Sequence, residues 1–183
     1  MKKTIATTRF SDETYLQNNL YKKRINHNGT LYGSPVRIKE KIPLDICIYV
    51  IEMNNSKNKI EGIGMIKNEN VLDKNYRVYK ERDYNRYVYK GSRHISREEI
   101  TDDYFNKVIK VLEVCCFKGS KHCKRGHGIT QISDWILHNK HNVDFIKIFD
   151  NIFKTKYDKT KYDKTKYDKT KYDKTKYNKF KYI

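Results

Sequence analysis

The chain has 183 residues, 37% hydrophobic and 34% charged, with 40 Lys+Arg against 22 Asp+Glu and a formal net charge of +18. That length holds one ordinary domain with a modest core plus a tail. No stretch approaches the roughly eighteen apolar residues of a membrane span, so no membrane partner is expected. Residues 154–183 hold 12 Lys and 4 Asp, which leaves +10 of the charge on residues 1–153. A body that basic attracts polyanions, RNA or DNA among them. Met1-Lys2-Lys3 leads into no apolar signal segment, and four cysteines, two of them adjacent, do not make a secreted disulfide framework. The expected setting is therefore intracellular and reducing, cytoplasm or nucleus.

Ser11 is the predicted N-cap of an amphipathic helix over 12–24, with Tyr15, Leu16 and Leu20 at helical spacing. Asn28-Gly29 and Gly33-Ser34-Pro35 mark turns. Leu44 to Ile51 is a nearly unbroken apolar, β-branched run and reads as a central strand buried on both faces. A polar turn, Asn54 to Lys59, joins it to a partner strand, Ile60 to Ile66. Gly62 and Gly64 in that strand signal a bulge, or a close approach by another backbone or a flat ligand.

From Tyr76 to His94 the chain interleaves Tyr76, Tyr79, Tyr84, Tyr87 and Tyr89 with Arg77, Lys80, Arg82, Arg86, Lys90 and Arg93. Aromatic faces beside cations suit single-stranded nucleic acid, where bases stack and phosphates are neutralised. The alternative is a half-buried strand whose tyrosines pack inward while its charges stay wet. Ser96-Arg97-Glu98-Glu99 has capping-box spacing, so a helix starts there or at Thr101. Its apolar stripe, Tyr104, Phe105, Val108, Ile109 and Leu112, is core. Further on, Ile129 to Ile132 reads as a short strand or turn. Ser133-Asp134 would cap a brief helix carrying Trp135, and Phe145 to Ile152 form a last amphipathic helix. From Lys154 the unit Lys-Thr-Lys-Tyr-Asp recurs in four perfect copies and two degenerate ones. A five-residue period matches neither strand nor helix, so this tail is expected to be disordered alone.

Between the second and third predicted helices lies Cys115-Cys116-Phe117-Lys118-Gly119-Ser120-Lys121-His122-Cys123-Lys124-Arg125-Gly126-His127-Gly128. Glycines allow close approach of backbone to a ligand, and the cations supply donors. Phosphate is the natural partner. Two other chemistries share the segment. Cys116, Cys123 and His127, with six and three residues between them, form a partial zinc pattern that lacks a second tight pair. Cys123, between His122 and Lys124, sits where a thiol pKa falls, as a cysteine-dependent catalytic domain would need, but no local signature supplies a base or an oxyanion hole. P-loop, dinucleotide, H-E-x-x-H and G-x-S-x-G motifs are absent, and no cofactor is implied.

The order of these parts resembles the PUA-like group of small β-barrels, which includes the ASCH, EVE and YTH domains. It runs from Ile42-Pro43 through the buried strand, the glycine-bearing strand and the Tyr/Arg region to a helix and basic glycine loop, over about residues 30–140. The resemblance implies a five- or six-stranded mixed barrel or strongly curved sheet flanked by helices, binding RNA or a modified base in an aromatic-lined cleft. The YTH cleft uses a tryptophan cage, whereas this chain has one tryptophan, Trp135. The composition and pentapeptide repeat also look like those of large-DNA-virus proteins.

The sequence thus predicts one α+β domain over 1–153, a tail over 154–183, and a non-enzymatic nucleic-acid-binding module. Lys118, Lys121, Lys124 and Arg125 would contact phosphate, with Gly119 and Gly126 allowing approach. Arg82, Arg86, Lys90 and Arg93 would extend the surface, and Tyr84, Tyr87 or Trp135 would stack on bases. A zinc-stabilised or cysteine-dependent domain, and a virion or scaffold protein with a basic tail, are the alternatives. Nothing in the pattern fixes DNA against RNA or an oligomeric state.

Overall fold

The computed structural model describes residues 2–44 and 46–158. Asp45 and 159–183, and with them most of the predicted tail, lie outside the described residues. The chain divides into two compact units, residues 1–146 and a second from Lys147 on.

In chain order the strands are Lys3–Phe10 (β1), Thr30–Ser34 (β2), Cys47–Asn54 (β3), Lys59–Lys67 (β4), Tyr87–Gly91 (β5), Arg93–Ser96 (β6) and Thr130–Gln131 (β7). The helices are Asp12–Arg24 (α1), Asp103–Phe117 (α2), Asp134–Leu137 (α3) and residues 145–158 (α4). The class is α+β, as expected, but the strands do not close into a barrel. They form a five-stranded mixed sheet, β6-β4-β3-β1-β7, and a separate antiparallel pair, β2–β5. The edge strands β6 and β7, four and two residues long, do not pair with each other, and β2–β5 packs on the sheet rather than continuing it.

The predicted hairpin is present: β3 and β4 pair from Cys47↔Lys67 to Asn54↔Lys59, with an irregularity between Glu52 and Met53. All eight residues of β3 are buried. Ile48 and Val50 join Leu31, Tyr32, Val88 and Tyr89 in one core, while Tyr49, Ile51 and Met53 alternate to the opposite face. Gly62 and Gly64 leave room for a buried polar group. A Cβ at Gly64 would overlap the Tyr32 hydroxyl, and one at Gly62 would stand 3.0 Å from Glu52 Oε2. Tyr32 donates to Glu52 Oε1 at 2.7 Å, and His94 Nε2 lies 3.0 Å from the same oxygen.

The sequence pattern did not reveal β1. Its threonines look polar, yet β-branched side chains fit a sheet interior. It runs parallel to β3, with Phe10 opposite Asn54, and antiparallel to β7. Helix α1 starts where predicted but buries another face. Leu16 and Leu20 are 58% and 57% exposed, whereas Asn18 and Tyr21 are buried. Asn18 Nδ2 donates to the Leu31 carbonyl at 2.7 Å and to the Tyr79 hydroxyl at 3.1 Å, so its amide is satisfied inside. The Ser96 capping box makes only the single turn Arg97–Glu99. Helix α2 begins at Asp103, with Asp102 capping the Phe105 N–H at 3.0 Å. Val108, Ile109 and Leu112 are buried there, while Tyr104 is turned to solvent. Helix α4 runs through the first repeat copy, Lys154 to Asp158, where Tyr157 stacks on Phe153 one turn earlier.

Candidate functional site

The carboxyl ends of the parallel strands β1 and β3 open onto a cleft. At the end of β1, Ser11 caps α1. Its hydroxyl accepts the Thr14 N–H at 3.2 Å, and Thr14 Oγ1 accepts the Ser11 N–H at 2.9 Å. At the end of β3, Asn54 folds the following turn by accepting the Ser56 and Lys57 N–H groups on Oδ1. Its Nδ2 donates to Asp12 Oδ1 and Glu61 Oε1, both at 2.8 Å. The Asp12 N–H reaches Ser56 Oγ at 3.2 Å. The first turn of α1 and the β3–β4 turn are thereby locked side by side.

The glycine segment is the opposite wall, and Arg9 holds it. The largely buried guanidinium donates from Nε to the Cys123 carbonyl at 2.7 Å and from Nη1 to the Gly128 carbonyl at 3.3 Å. Its Nη2 donates to Thr7 Oγ1 and Thr130 Oγ1. Asn55 Nδ2 adds a bond to the Lys124 carbonyl at 3.2 Å. Gly126 and Gly128 take positive φ values of 118° and 66°, and Gly128 abuts Ser34 where a side chain would collide.

The remaining wall is aromatic. Tyr79 and Tyr84 meet edge-on with centroids 6.1 Å apart. Asn85 shapes the loop that carries them. Its Oδ1 accepts the Val78 and Tyr79 N–H groups, and its Nδ2 donates to the Tyr79 and Glu81 carbonyls.

The cleft so enclosed has a volume of about 460 Å³ and is lined by Thr8, Arg9, Phe10, Ser11, Thr14, Gly33, Pro35, Asn55, Ser56, Tyr79, Tyr84, Lys124, Gly126, His127 and Gly128. None of these residues is an Asp or Glu. Tyr79 also lines a second groove, of about 740 Å³, with Arg77, Lys80, Arg82, Arg86 and the single acid Asp83. Asp83 pairs with Arg86 at 3.0 Å, and Lys80 with Glu13 at 3.3 Å.

Of the residues named from sequence, the cleft gathers Lys124, Gly126 and Tyr84, and the groove gathers Arg82 and Arg86. Arg125, Gly119 and Lys121 are exposed outside both, and Gly119 has φ +76° with nothing near its Cβ position. Lys118 ends α2 and faces a shallow depression with Asn58, Lys110 and Glu113. Lys90, Arg93 and Trp135 line neither cavity, and Tyr87 is half-buried under the guanidinium of Arg37. Sequence reading missed Arg9, Phe10 and Asn55 as site residues, and noted Tyr79 only as a member of the Tyr/Arg cluster.

Cys116 and Cys123 come together, and His127 stands exposed on the cleft. Among the described residues no three His, Cys, Asp or Glu side chains gather where they could hold a metal ion. Among the described residues, too, no helix is long and apolar enough to cross a membrane. Compared with known proteins, the chain matches no family model, no curated protein and no solved structure.

Proposed function

We propose that this protein binds nucleic acid, RNA or DNA, without catalysing a reaction. One observation carries the reading: a cleft lined by no carboxylate, in a chain with 22 acidic residues, shares the lining residue Tyr79 with a groove that holds four cations. Lys124 brings a positive charge to the cleft, and the hydroxyls of Ser11, Ser56 and Tyr84 are donors of the kind that position phosphates. The Tyr84 ring, 40% exposed, offers a face on which a base can stack. The cleft is within the range of roughly 300–1,000 Å³ that encloses small ligands, enough for one nucleotide unit.

We read the fold as a relative of the PUA-like group, supported by a mixed sheet carrying a second strand pair and by a cleft with aromatic residues. An intracellular setting fits four cysteines, two of them adjacent, that are not spaced as a secreted disulfide framework.

The test is a titration of a short fluorescent single strand at several salt concentrations. Phosphate-directed binding predicts a log–log salt slope of about −0.7 per neutralised phosphate, and Lys124→Ala lowers its magnitude by about that amount. Tyr84→Ala weakens binding by about 1–3 kcal/mol per stacked base with the slope unchanged. An affinity indifferent to salt overturns the reading.

A further inference from the structure

Cys116, in the last turn of α2, and Cys123, in the glycine segment, lie back to back. The chain between them loops out and returns, so that the Cys123 N–H donates to the Cys116 carbonyl at 2.7 Å. With standard backbone dimensions, that bond holds the two Cα atoms within about 6.6 Å of each other. Disulfides span roughly 4.4–6.8 Å between Cα atoms. Cys123 Sγ lies 3.9 Å from Ser133 Oγ, and Cys116 is the neighbour that acts most strongly on the Cys123 thiol.

The pair is unequal. The Cys116 thiol, completely buried, is pushed up by the neighbouring Cys123 and by burial. Cys123 is lowered to about 6, chiefly by the neighbouring Cys116 thiol, then by Ser133 and the Arg9 guanidinium, against the effect of burial. Neighbouring Cys115 is half-buried and raised by burial. A thiolate beside a protonated thiol is the arrangement that oxidises readily to a disulfide.

We propose that Cys116 and Cys123 form a reversible dithiol–disulfide site oxidised by hydrogen peroxide, with Cys123 as the attacking sulfur and Cys116 as the resolving one. The Cys123 thiolate attacks one peroxide oxygen, the O–O bond breaks, and hydroxide leaves and is protonated to water. Cys123 is then a sulfenic acid. Cys116 gives up its proton, its sulfur attacks Cys123, the S–O bond breaks and a second water departs. Two thiols are oxidised to one disulfide while peroxide is reduced to two waters, and a small-molecule thiol reverses the product. This site is independent of the nucleic-acid reading, although the next residue, Lys124, lines the cleft.

The experiment treats the reduced full-length chain with hydrogen peroxide, blocks remaining thiols and maps bridges by mass spectrometry without reduction. The expected product has lost two hydrogen atoms and links Cys116 to Cys123, in the natural chain and in Cys115→Ser alike. Before oxidation, iodoacetamide should label Cys123 about tenfold faster than Cys47, because Cys116, Ser133 and the Arg9 guanidinium favour the Cys123 thiolate. The two are matched in burial, at 6% and 7% exposed. Cys116→Ser should stop at a sulfenic acid that dimedone captures; if that variant does not fold, the bridge map and labelling ratio still decide. A bridge to Cys115, bridges only between chains, or equal labelling of Cys123 and Cys47 overturns the proposal.

Discussion

Arg9 Nε and the Cys123 carbonyl oxygen are 2.7 Å apart although 114 residues separate them in sequence. Through this bond the carboxyl end of strand β1 fixes the glycine segment that forms one wall of the cleft. The same guanidinium also reaches the Gly128 carbonyl and Thr130 Oγ1, so one side chain serves both ends of the segment. Arg9→Ala strands carbonyls that the arginine now satisfies, at a cost of about 1–3 kcal/mol. Arg9→Lys does not restore stability, because an ammonium lacks the planar fork that reaches several acceptors at once. Thermal unfolding measures the loss, and faster amide exchange confined to residues 118–128 locates it. Undisturbed exchange there would contradict the pinning role.

The glycines are not equivalent, and alanine substitution separates them. At Gly64 a methyl group meets the Tyr32 hydroxyl and Thr30 side chain, pushing apart a hydroxyl–carboxylate bond inside the core. Overpacking and loss of a hydrogen bond to a charged group together cost about 3 kcal/mol or more. At Gly119 nothing lies near the added carbon, and only the positive φ matters. That strain, of order 1–2 kcal/mol, is partly offset by a stiffer unfolded chain, so the net loss stays near 1 kcal/mol. Urea midpoints of Gly64→Ala and Gly119→Ala check the ranking.

The hairpin was legible because its cause is local: a buried apolar run, a polar turn and a second apolar run. Strand β1 was not, since Thr4, Thr7, Thr8 and Arg9 are polar by type and become interior only because β3 and β7 flank them. Helix α1 misled in the opposite sense. Leu16 and Leu20 outweigh Asn18 on any hydrophobic scale, but Asn18 finds two acceptors inside the fold and the leucines find no cover within the described residues. Lys124 and Gly126 could be read as site residues from charge and glycine content. Arg9 and Asn55 could not, because their role depends on which distant turns meet, and Tyr79 stood out only as one of the interleaved Tyr/Arg cluster.

Glu52 makes acid stability a test of the buried polar cluster. Burial works against its charge, but the His94 imidazole at 3.0 Å, with the Tyr32 hydroxyl, outweighs this and holds the carboxyl below the usual carboxylate range. A carboxyl depressed in the folded state takes up its proton more readily once unfolded. Its stabilisation is therefore complete at neutral pH and is lost as pH falls through the carboxylate range. The melting temperature should hold down to about pH 5 and then decline. Glu52→Gln should melt lower at neutral pH and decline less steeply in acid, with Asp12 still contributing to the remaining slope because Asn54 and Lys57 lower it. Parallel acid slopes in the two proteins would remove Glu52 from this role.

The position of the cations decides which of them matter for binding. Arg82 and Arg86 belong to the groove that shares Tyr79 with the cleft, whereas Lys90 and Arg93, a few residues on, line neither. If charge count alone drove binding, removing either pair would have the same effect, since each subtracts two positive charges from an excess of +18. A local path predicts otherwise. Arg82→Ala with Arg86→Ala should flatten the salt slope by about 0.7 for each phosphate no longer neutralised, and weaken affinity at low salt. Part of that effect is tempered because Arg86 is already paired with Asp83. Lys90→Ala with Arg93→Ala should leave the slope within error of the natural protein. Equal weakening from the two pairs would mean that the overall field, not the groove, attracts the polyanion.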